Sequence, residues 1–367
     1  MKIFTISLGC DKNLVDTEKM LGFFQEKQYE LVDQELDADI ILVNTCAFIN
    51  DAKEESIQTI LEMAHYKEIG KCKALLVTGC LGQRFAQDII EQLPEVDGIL
   101  GTNDYSHLEE VIQKALNGER PVFTDGIATG QFFQAKRVVS SPGHCAYLKI
   151  AEGCDKHCTY CIIPSMRGSY RSVLMETLVE EARTLALAGV KELILVAQET
   201  TLYGIDIYGK KMIGQLLDQL NEIPGLEWIR ILYCYPEEID DEFIQAILRN
   251  SKVCHYLDIP IQHASDSLLK KMGRRTTRLE LEAIIENLRL KIPDIALRTT
   301  IICGFPGETD ADHQELLTFL NKIEFDRLGV FTYSPEEGTP AATYEDQVPA
   351  QLALSRKEEV MELSEAI

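Results

Sequence analysis

The sequence runs to 367 residues, 46% apolar and 26% charged, with a formal net charge of -23. That length suffices for two domains with cores of their own. No apolar run approaches membrane-spanning length, and the start "MKIFTISLGC" lacks the charged-then-apolar layout of a signal peptide, so a cytoplasmic protein without membrane attachment is expected. The acidity repels phosphate backbones, which argues against nucleic acid as a direct substrate and for a basic protein partner; plain solubility accounts for the charge equally well. Eleven cysteines are too few for a disulfide scaffold of this size, leaving metal or cluster ligation as the reading to test.

Taken in chain order, "KIFTISL", "DIILVNT" and "ALLVTG" read as buried strands. They alternate with the amphipathic stretches "VDTEKMLGFFQEKQ", "AKEESIQTILEMAHYK" and "SHLEEVIQKALNG", the last closed by Gly118. This pattern predicts a doubly wound parallel sheet over 1–118. Residues 119–142 have no clean periodicity and read as a linker. Residues 143–349 then repeat strand and helix six times, from "CAYLKIA" to "RLGVFTYS". Six units fall short of a closed barrel of eight, so an open, partial (β/α) barrel is expected. Residues 350–367 read as a terminal helix.

Two sets of cysteines stand out. "EGCDKHCTYC" places Cys154, Cys158 and Cys161 at C-x3-C-x2-C directly after a barrel strand, at the end where functional residues collect. Zinc sites close with four ligands, and His157, one residue from Cys158, is poorly placed to join. Three thiolates on a cubane leave one iron open for a non-protein ligand. The second set is dispersed: Cys10 in "SLGC", Cys46 in "VNTC" and Cys80 in "VTGC", each at the carboxyl end of a strand of the first domain. Parallel strands bring such ends together, so the three could share a second cluster, although buried cysteine is also a common packing residue. Cys72, Cys145, Cys234, Cys254 and Cys303 lack the pattern and read as packing; Cys303 lies beside the turn "GFPGET".

The motifs "SLGCDKNLVDTE", "NTC", "TGC", "EGCDKHCTYCIIPSMRG" and "GFPGET" together resemble the methylthiotransferases of the radical S-adenosylmethionine (SAM) superfamily, over nearly the whole chain. "NTCAFI", "IPSMRGSYRS", "VAQETTLYG", "YLDIPIQH" and "YSPEEGTPA" are similar to the branch of RimO type, which acts on small-subunit ribosomal protein twelve; the branch acting on transfer RNA adenosine reads differently at the third of these. The resemblance implies a SAM-cleaving four-iron four-sulfur cluster on Cys154, Cys158 and Cys161, and an auxiliary one on Cys10, Cys46 and Cys80 that carries an external sulfur species. It further implies SAM as methyl donor and radical source, a low-potential electron donor such as flavodoxin or ferredoxin, and methylthiolation at the β-carbon of an aspartate. The alternatives are methylthiolation of a transfer RNA adenosine and a non-catalytic iron–sulfur carrier.

Around SAM the strand ends offer Tyr160, Gln198, Gln262 and the turn of Gly304, Pro306, Gly307 and Glu308, each of which could equally be structural. "GFPGETD" could act only as a helix cap, and the basic "MGRRTTR" (272–278) reads as a solvated helix end. Glu199 stands where the resembling family carries Asp, a one-methylene change. Family members also carry a small C-terminal β-barrel (TRAM) domain; the chain ends at Ile367 without one, which implies a truncated form with weakened capture of its substrate.

Overall fold

The computed structural model describes residues 1–129, 132–133, 135–140 and 143–367. The chain divides into two compact units, Met1–Ser141 with Ile162–Ser169, and Pro142–Cys161 with Tyr170–Ile367.

The first unit is a six-stranded, wholly parallel sheet in the order β2-β1-β3-β4-β5-β6. Its strands are β1 (Lys2–Ser7), β2 (Glu30–Leu31), β3 (Ile40–Thr45), β4 (Ala74–Thr78), β5 (Gly98–Leu100) and β6 (Val122–Phe123). Every residue of β3 and β4 is buried, as expected for central strands covered on both faces. One face packs Ile41, Val43, Leu75 and Val77 against Ile60 and Met63 of the helix Asn50–Ala64, and Ile162 and Met166 join the same core. The other packs Ile40, Leu42 and Leu76 against Met20 and Phe24 of the helix Asp11–Glu26 and Val111 and Ile112 of the helix Leu108–Leu116. Gly118, at φ +82°, closes the last helix through its N–H to Ala115, as its sequence position predicts.

The segment expected to be a linker contributes to this unit. Val122 and Phe123 extend the sheet as β6, opposite Ile99 and Leu100, and the Phe123 ring stacks on His107 at 4.5 Å. Further along, Glu18 on the helix Asp11–Glu26 is fully buried and receives the Arg137 guanidinium at 2.6 Å and the Ser140 N–H and hydroxyl at 2.7 and 2.9 Å. Gly22 is required on that helix because a Cβ there would stand 1.6 Å from the Lys136 carbonyl oxygen. Residues 130, 131, 134, 141 and 142 of the expected linker lie outside the described residues.

The second unit is a six-stranded parallel sheet in the order β14-β13-β12-β11-β10-β7, every neighbour pair being consecutive in this set. Its strands are β7 (Cys145–Lys149), β10 (Glu192–Val196), β11 (Trp228–Ile231), β12 (Val253–Asp258), β13 (Ala296–Cys303) and β14 (Arg327–Thr332). The short strands β8 (Ala151–Glu152) and β9 (Arg171–Ser172) pair antiparallel beside them. The helices Met175–Leu187, Ile213–Asn221, Asp241–Arg249, Arg278–Lys291 and Asp310–Ile323 connect the strands in alternation, giving the open, partial barrel the sequence predicts. The helix Ala350–Ala366 packs against β13 and β14.

Candidate functional site

In the first unit, Cys10, Cys46 and Cys80 come together at the carboxyl edge of the sheet. Cys10 is exposed and occupies the N-cap of the helix Asp11–Glu26; Cys46 directly follows β3; Cys80 lies in the first turn of the helix Gly79–Arg84, which the sequence reading missed. Gly9 (φ +84°) and Gly79 (φ +88°) make the approach possible. A Cβ on Gly9 would stand 2.9 Å from the Cys46 sulfur, and one on Gly79 would stand 2.4 Å from the Thr45 carbonyl oxygen.

A polar hub lies beneath the three thiols. The Asn13 amide donates to the carbonyls of Leu8 (3.0 Å) and Thr45 (2.8 Å). Asn44 donates to the Asn13 carbonyl at 2.9 Å and to the Thr17 hydroxyl at 2.9 Å. The buried Arg167 guanidinium donates to the Asn13 side-chain oxygen, to Asp16 at 2.8 Å and to the Cys80 sulfur at 3.6 Å. Burial pushes the Cys80 thiol up to about 11, with Arg167 pulling the other way and Cys10 and Cys46 adding to the rise. Cys46 is raised for the same leading reason, and Cys10 and Arg167 again act in opposite directions. Three thiols gathered in this way form a donor set suited to a cationic metal centre, which deprotonates its thiol ligands outright and so offsets the cost that burial sets on ionising Cys46 and Cys80.

In the second unit the loop after β8 carries the other trio. Cys154 and Cys158 are buried and Cys161 is half-buried. Gly153 (φ +79°) and His157 (φ +53°) both adopt the left-handed conformation that folds the loop back. His157 therefore serves the turn. Thr159 pins the loop, its N–H to the Met272 carbonyl (3.0 Å) and its hydroxyl to the Lys271 carbonyl (2.8 Å), and a Cβ added to Gly273 would stand 3.2 Å from the His157 carbonyl oxygen. Burial drives the Cys154 thiol up to about 11.

The stretch 272–278 behaves differently from the solvated helix end expected of it. Arg274 is only 8% exposed; its guanidinium lies over the Tyr235 ring at 4.3 Å and donates to the Pro260 carbonyl at 2.9 Å and to the Cys158 sulfur at 3.8 Å. Tyr235 brings its hydroxyl within 3.5 Å of the same sulfur, and the Lys156 ammonium also lies over its ring, 4.9 Å from the centroid. Arg278, by contrast, pairs with Glu282 and Glu315 as a helix-start residue does. No spacing rule singles out Arg274, since what distinguishes it is burial.

A pocket of about 320 Å³ opens beside Cys154, lined among others by Lys156, Tyr170, Glu199, Glu238 and Arg275. Glu199 is fully buried, accepts from the Thr201 N–H (3.0 Å) and hydroxyl, and lies 3.9 Å from the Lys156 ammonium. Desolvation raises its carboxyl to about 7, offset partly by Thr201 and Lys156. Gln198 donates to Glu152 at 3.0 Å while its side-chain oxygen is buried without a hydrogen-bond partner. That orphaned acceptor suits a ligand amine or hydroxyl.

Of the other residues singled out in the sequence, Tyr160 packs edge-on against Phe305, and burial followed by the Cys158 charge raises its phenol well above the usual range. Gln262 follows β12 in a left-handed conformation, φ +73°, with its backbone bridging to β13 through Thr300 and Ile302. The turn of Gly304, Pro306, Gly307 and Glu308 is engaged within the unit. The Gly304 N–H goes to the Glu308 carboxylate and the Gly307 N–H to the Asp346 carbonyl at 2.8 Å. Cβ atoms on Gly304 and Gly307 would stand 2.2 Å from Ala353 and 2.1 Å from Lys271. Glu308 is buried among His263, His313 and Arg356, and Thr309 caps the helix Asp310–Ile323 in a capping box with Asp312. The residue after the turn thus caps a helix, as one of the two readings of "GFPGETD" has it. Cys72, Cys234 and Cys303 are buried and Cys145 and Cys254 half-buried.

The comparisons with known proteins bear on both units. Residues 2–101 match a family described as "Uncharacterized protein family UPF0004", and residues 148–320 match the radical SAM superfamily. Over 367 residues the chain is 59% identical to the ribosomal protein uS12 methylthiotransferase RimO of Lachnoclostridium phytofermentans, covering 100% of this chain and 83% of that one. The chain belongs to the RimO family. A second member, from Clostridium perfringens, is 52% identical over 371 residues, again covering 100% of this chain and 83% of its own length. Among solved structures, the radical SAM methyltransferase TsrM from Kitasatospora setae, with cobalamin and a [4Fe-4S] cluster bound, superposes with a TM-score of 0.68 over 93% of this chain and 76% of that one, at 14% identity. The cobalamin-dependent radical SAM enzyme OxsB does so with a TM-score of 0.61 over 100% of this chain and 56% of that one, also at 14% identity. At such identities these likenesses establish the fold of a radical SAM enzyme, with a parallel-sheet unit preceding a partial barrel.

Proposed function

We propose that this chain is a radical SAM methylthiotransferase that places a methylthio group on the β-carbon of an aspartate of small-subunit ribosomal protein uS12. The observation that carries the reading is the full-length 59% identity to a uS12 methylthiotransferase, in a chain that keeps both cysteine trios. Cys154, Cys158 and Cys161 would hold one four-iron four-sulfur cluster and Cys10, Cys46 and Cys80 a second that carries the external sulfur. Among the described residues, no group of three or more His, Cys, Asp or Glu side chains could hold a single metal ion. Thiolates that each take a different iron of a cluster need no such close set. When bound, the cluster beside SAM supplies one-electron cleavage, which opens an unactivated carbon–hydrogen bond that no acid–base residue could.

The chain's own contribution is to hold and orient. Thr159, Gly273 and Arg274 fix the loop around Cys158. Gln198 offers its unpartnered oxygen to SAM, and Tyr160 offers its ring edge. Gln262 would contribute from the next strand end. The pocket sets the carboxylates of Asp155, Glu199, Asp206 and Glu238 against Lys156 and Arg275, an acidic excess that suits a basic protein segment better than a phosphate backbone. The electron comes from a low-potential carrier such as flavodoxin or ferredoxin, and a substrate belonging to the ribosome puts the reaction in the cytoplasm. Among the described residues no helix is long and apolar enough to cross a membrane.

Mass spectrometry of uS12 and of bulk transfer RNA from a strain lacking the gene tests this. Loss of one methylthio group from uS12 is expected, with transfer RNA unchanged; the reverse pattern would transfer the assignment to the nucleoside.

A further inference from the structure

Arg167 sits in the helix Ile163–Arg167, which belongs to the same compact unit as Cys10, Cys46 and Cys80. Its side chain is 3% exposed. A guanidinium stays ionised even when buried, and burial of a charge is costly unless it is paired. Here the pairing is specific: one nitrogen donates to Asp16 at 2.8 Å, while the other donates to Asn13 and, at 3.6 Å, to the Cys80 sulfur. Asn13 in turn holds the carbonyl of Leu8, two residues before Cys10, and that of Thr45, the residue before Cys46. Thus one buried hub touches all three cysteine-bearing loops, and its positive end rests on sulfur. Asp16 and Asn13 lie in the "CDKNLVD" stretch, which gives that motif a physical task beyond supplying Cys10.

We propose that Arg167 is a positioning residue for the auxiliary iron–sulfur cluster, seated by Asp16 and Asn13 so that its charge lies at the Cys80 sulfur and raises the cluster's reduction potential. The proposal rests on the reading of Cys10, Cys46 and Cys80 as cluster ligands. Positive charge and hydrogen bonds at a cluster sulfur stabilise the more negative, reduced state.

The test uses the full chain with Cys154, Cys158 and Cys161 replaced by Ala, so that only the auxiliary cluster can assemble on anaerobic reconstitution. Iron and sulfide per chain are measured, followed by a redox titration read by electron paramagnetic resonance. Arg167→Met should lower the ratio of reduced to oxidised cluster at the parent midpoint about 10-fold, a shift of ~59 mV for a one-electron couple. Arg167→Lys should restore much of it. Asp16→Asn, which removes the counter-charge and keeps the guanidinium, should move the midpoint the opposite way. A residue that served only packing would not give shifts of opposite sign. Should Arg167→Met fail to fold by circular dichroism, the sign of the Asp16→Asn shift decides alone. Full iron with an unmoved midpoint in every variant overturns the role of Arg167 and leaves the cluster assignment standing. A parent protein that binds no iron overturns both.

Discussion

Gly9 lies against Cys46, so closely that a Cβ added to the glycine would stand 2.7 Å from the Cys46 Cβ and 2.9 Å from its sulfur. The glycine is also left-handed, at φ +84°. Gly9→Ala therefore meets both a strained backbone and a collision, together about 1–3 kcal/mol. Because the collision falls on a candidate ligand, iron bound by the first unit should drop more steeply than the melting temperature. Iron assay beside thermal denaturation checks the order of the two effects.

Replacing Cys154, Cys158 and Cys161 by Ala should leave roughly half the iron of the reconstituted protein, and so should replacing Cys10, Cys46 and Cys80, if each trio holds a cubane. Only the first set should abolish release of 5′-deoxyadenosine on addition of SAM and dithionite. Complete loss of iron from either set alone would contradict independent clusters.

Arg274 reaches the Cys158 sulfur at 3.8 Å from a seat made by the Tyr235 ring and the Pro260 carbonyl. A flat fork fits that seat and a lysine ammonium does not. Both Arg274→Met and Arg274→Lys should retain cluster iron yet lower SAM cleavage ~10-fold or more, in line with losses on removing groups that orient metal ligands. Single-turnover assays of 5′-deoxyadenosine measure this. Rescue by lysine would show that charge alone suffices.

Glu308 gives the fold an acid-sensitive element. Burial works against its ionisation, but His263 and His313, 3.7 and 3.6 Å away, and the Gly304 N–H hold the carboxyl at about 2, below its ordinary 4.5. A depressed carboxyl contributes stability above its unfolded value and loses it as pH falls toward the folded one. The contribution is on the order of 3 kcal/mol near neutral pH. Denaturant titrations of Glu308→Gln should show lower stability at neutral pH and a shallower loss between pH about 4.5 and 2 than the parent.

Much of this was legible in the sequence because it is local. The strands β3 and β4 are apolar runs, the long helices carry a 3.6-residue period, and both cysteine trios fall at strand ends. Other features escaped for identifiable reasons. β6 is only two residues long and gains its place from β5 alone. The helix Gly79–Arg84 follows β4 with no intervening loop, so its start merges with the strand pattern. Arg167 meets Asp16 and Cys80 across 151 and 87 positions, and Arg274 meets Cys158 across 116. Contacts of such separation leave no periodic trace, and a buried arginine spells the same as an exposed one. The glycines of "GFPGET" were visible, but whether they face a ligand or Ala353 and Asp346 depends on packing.

The membership of Ile162–Ser169 in the first unit also bears on how the protein is made. Ile162 and Met166 complete one of that unit's cores, and Arg167 ties its three cysteine loops together. A ribosome emits chain from the N-terminus at about 5–20 residues per second, and domains usually fold as they emerge. Here the first unit cannot close until the loop bearing Cys154, Cys158 and Cys161 has already left the exit tunnel. Cys10, Cys46 and Cys80, though translated first, must wait for a residue translated after all six, while the loop around Cys158 waits longer still, for Met272 and Arg274.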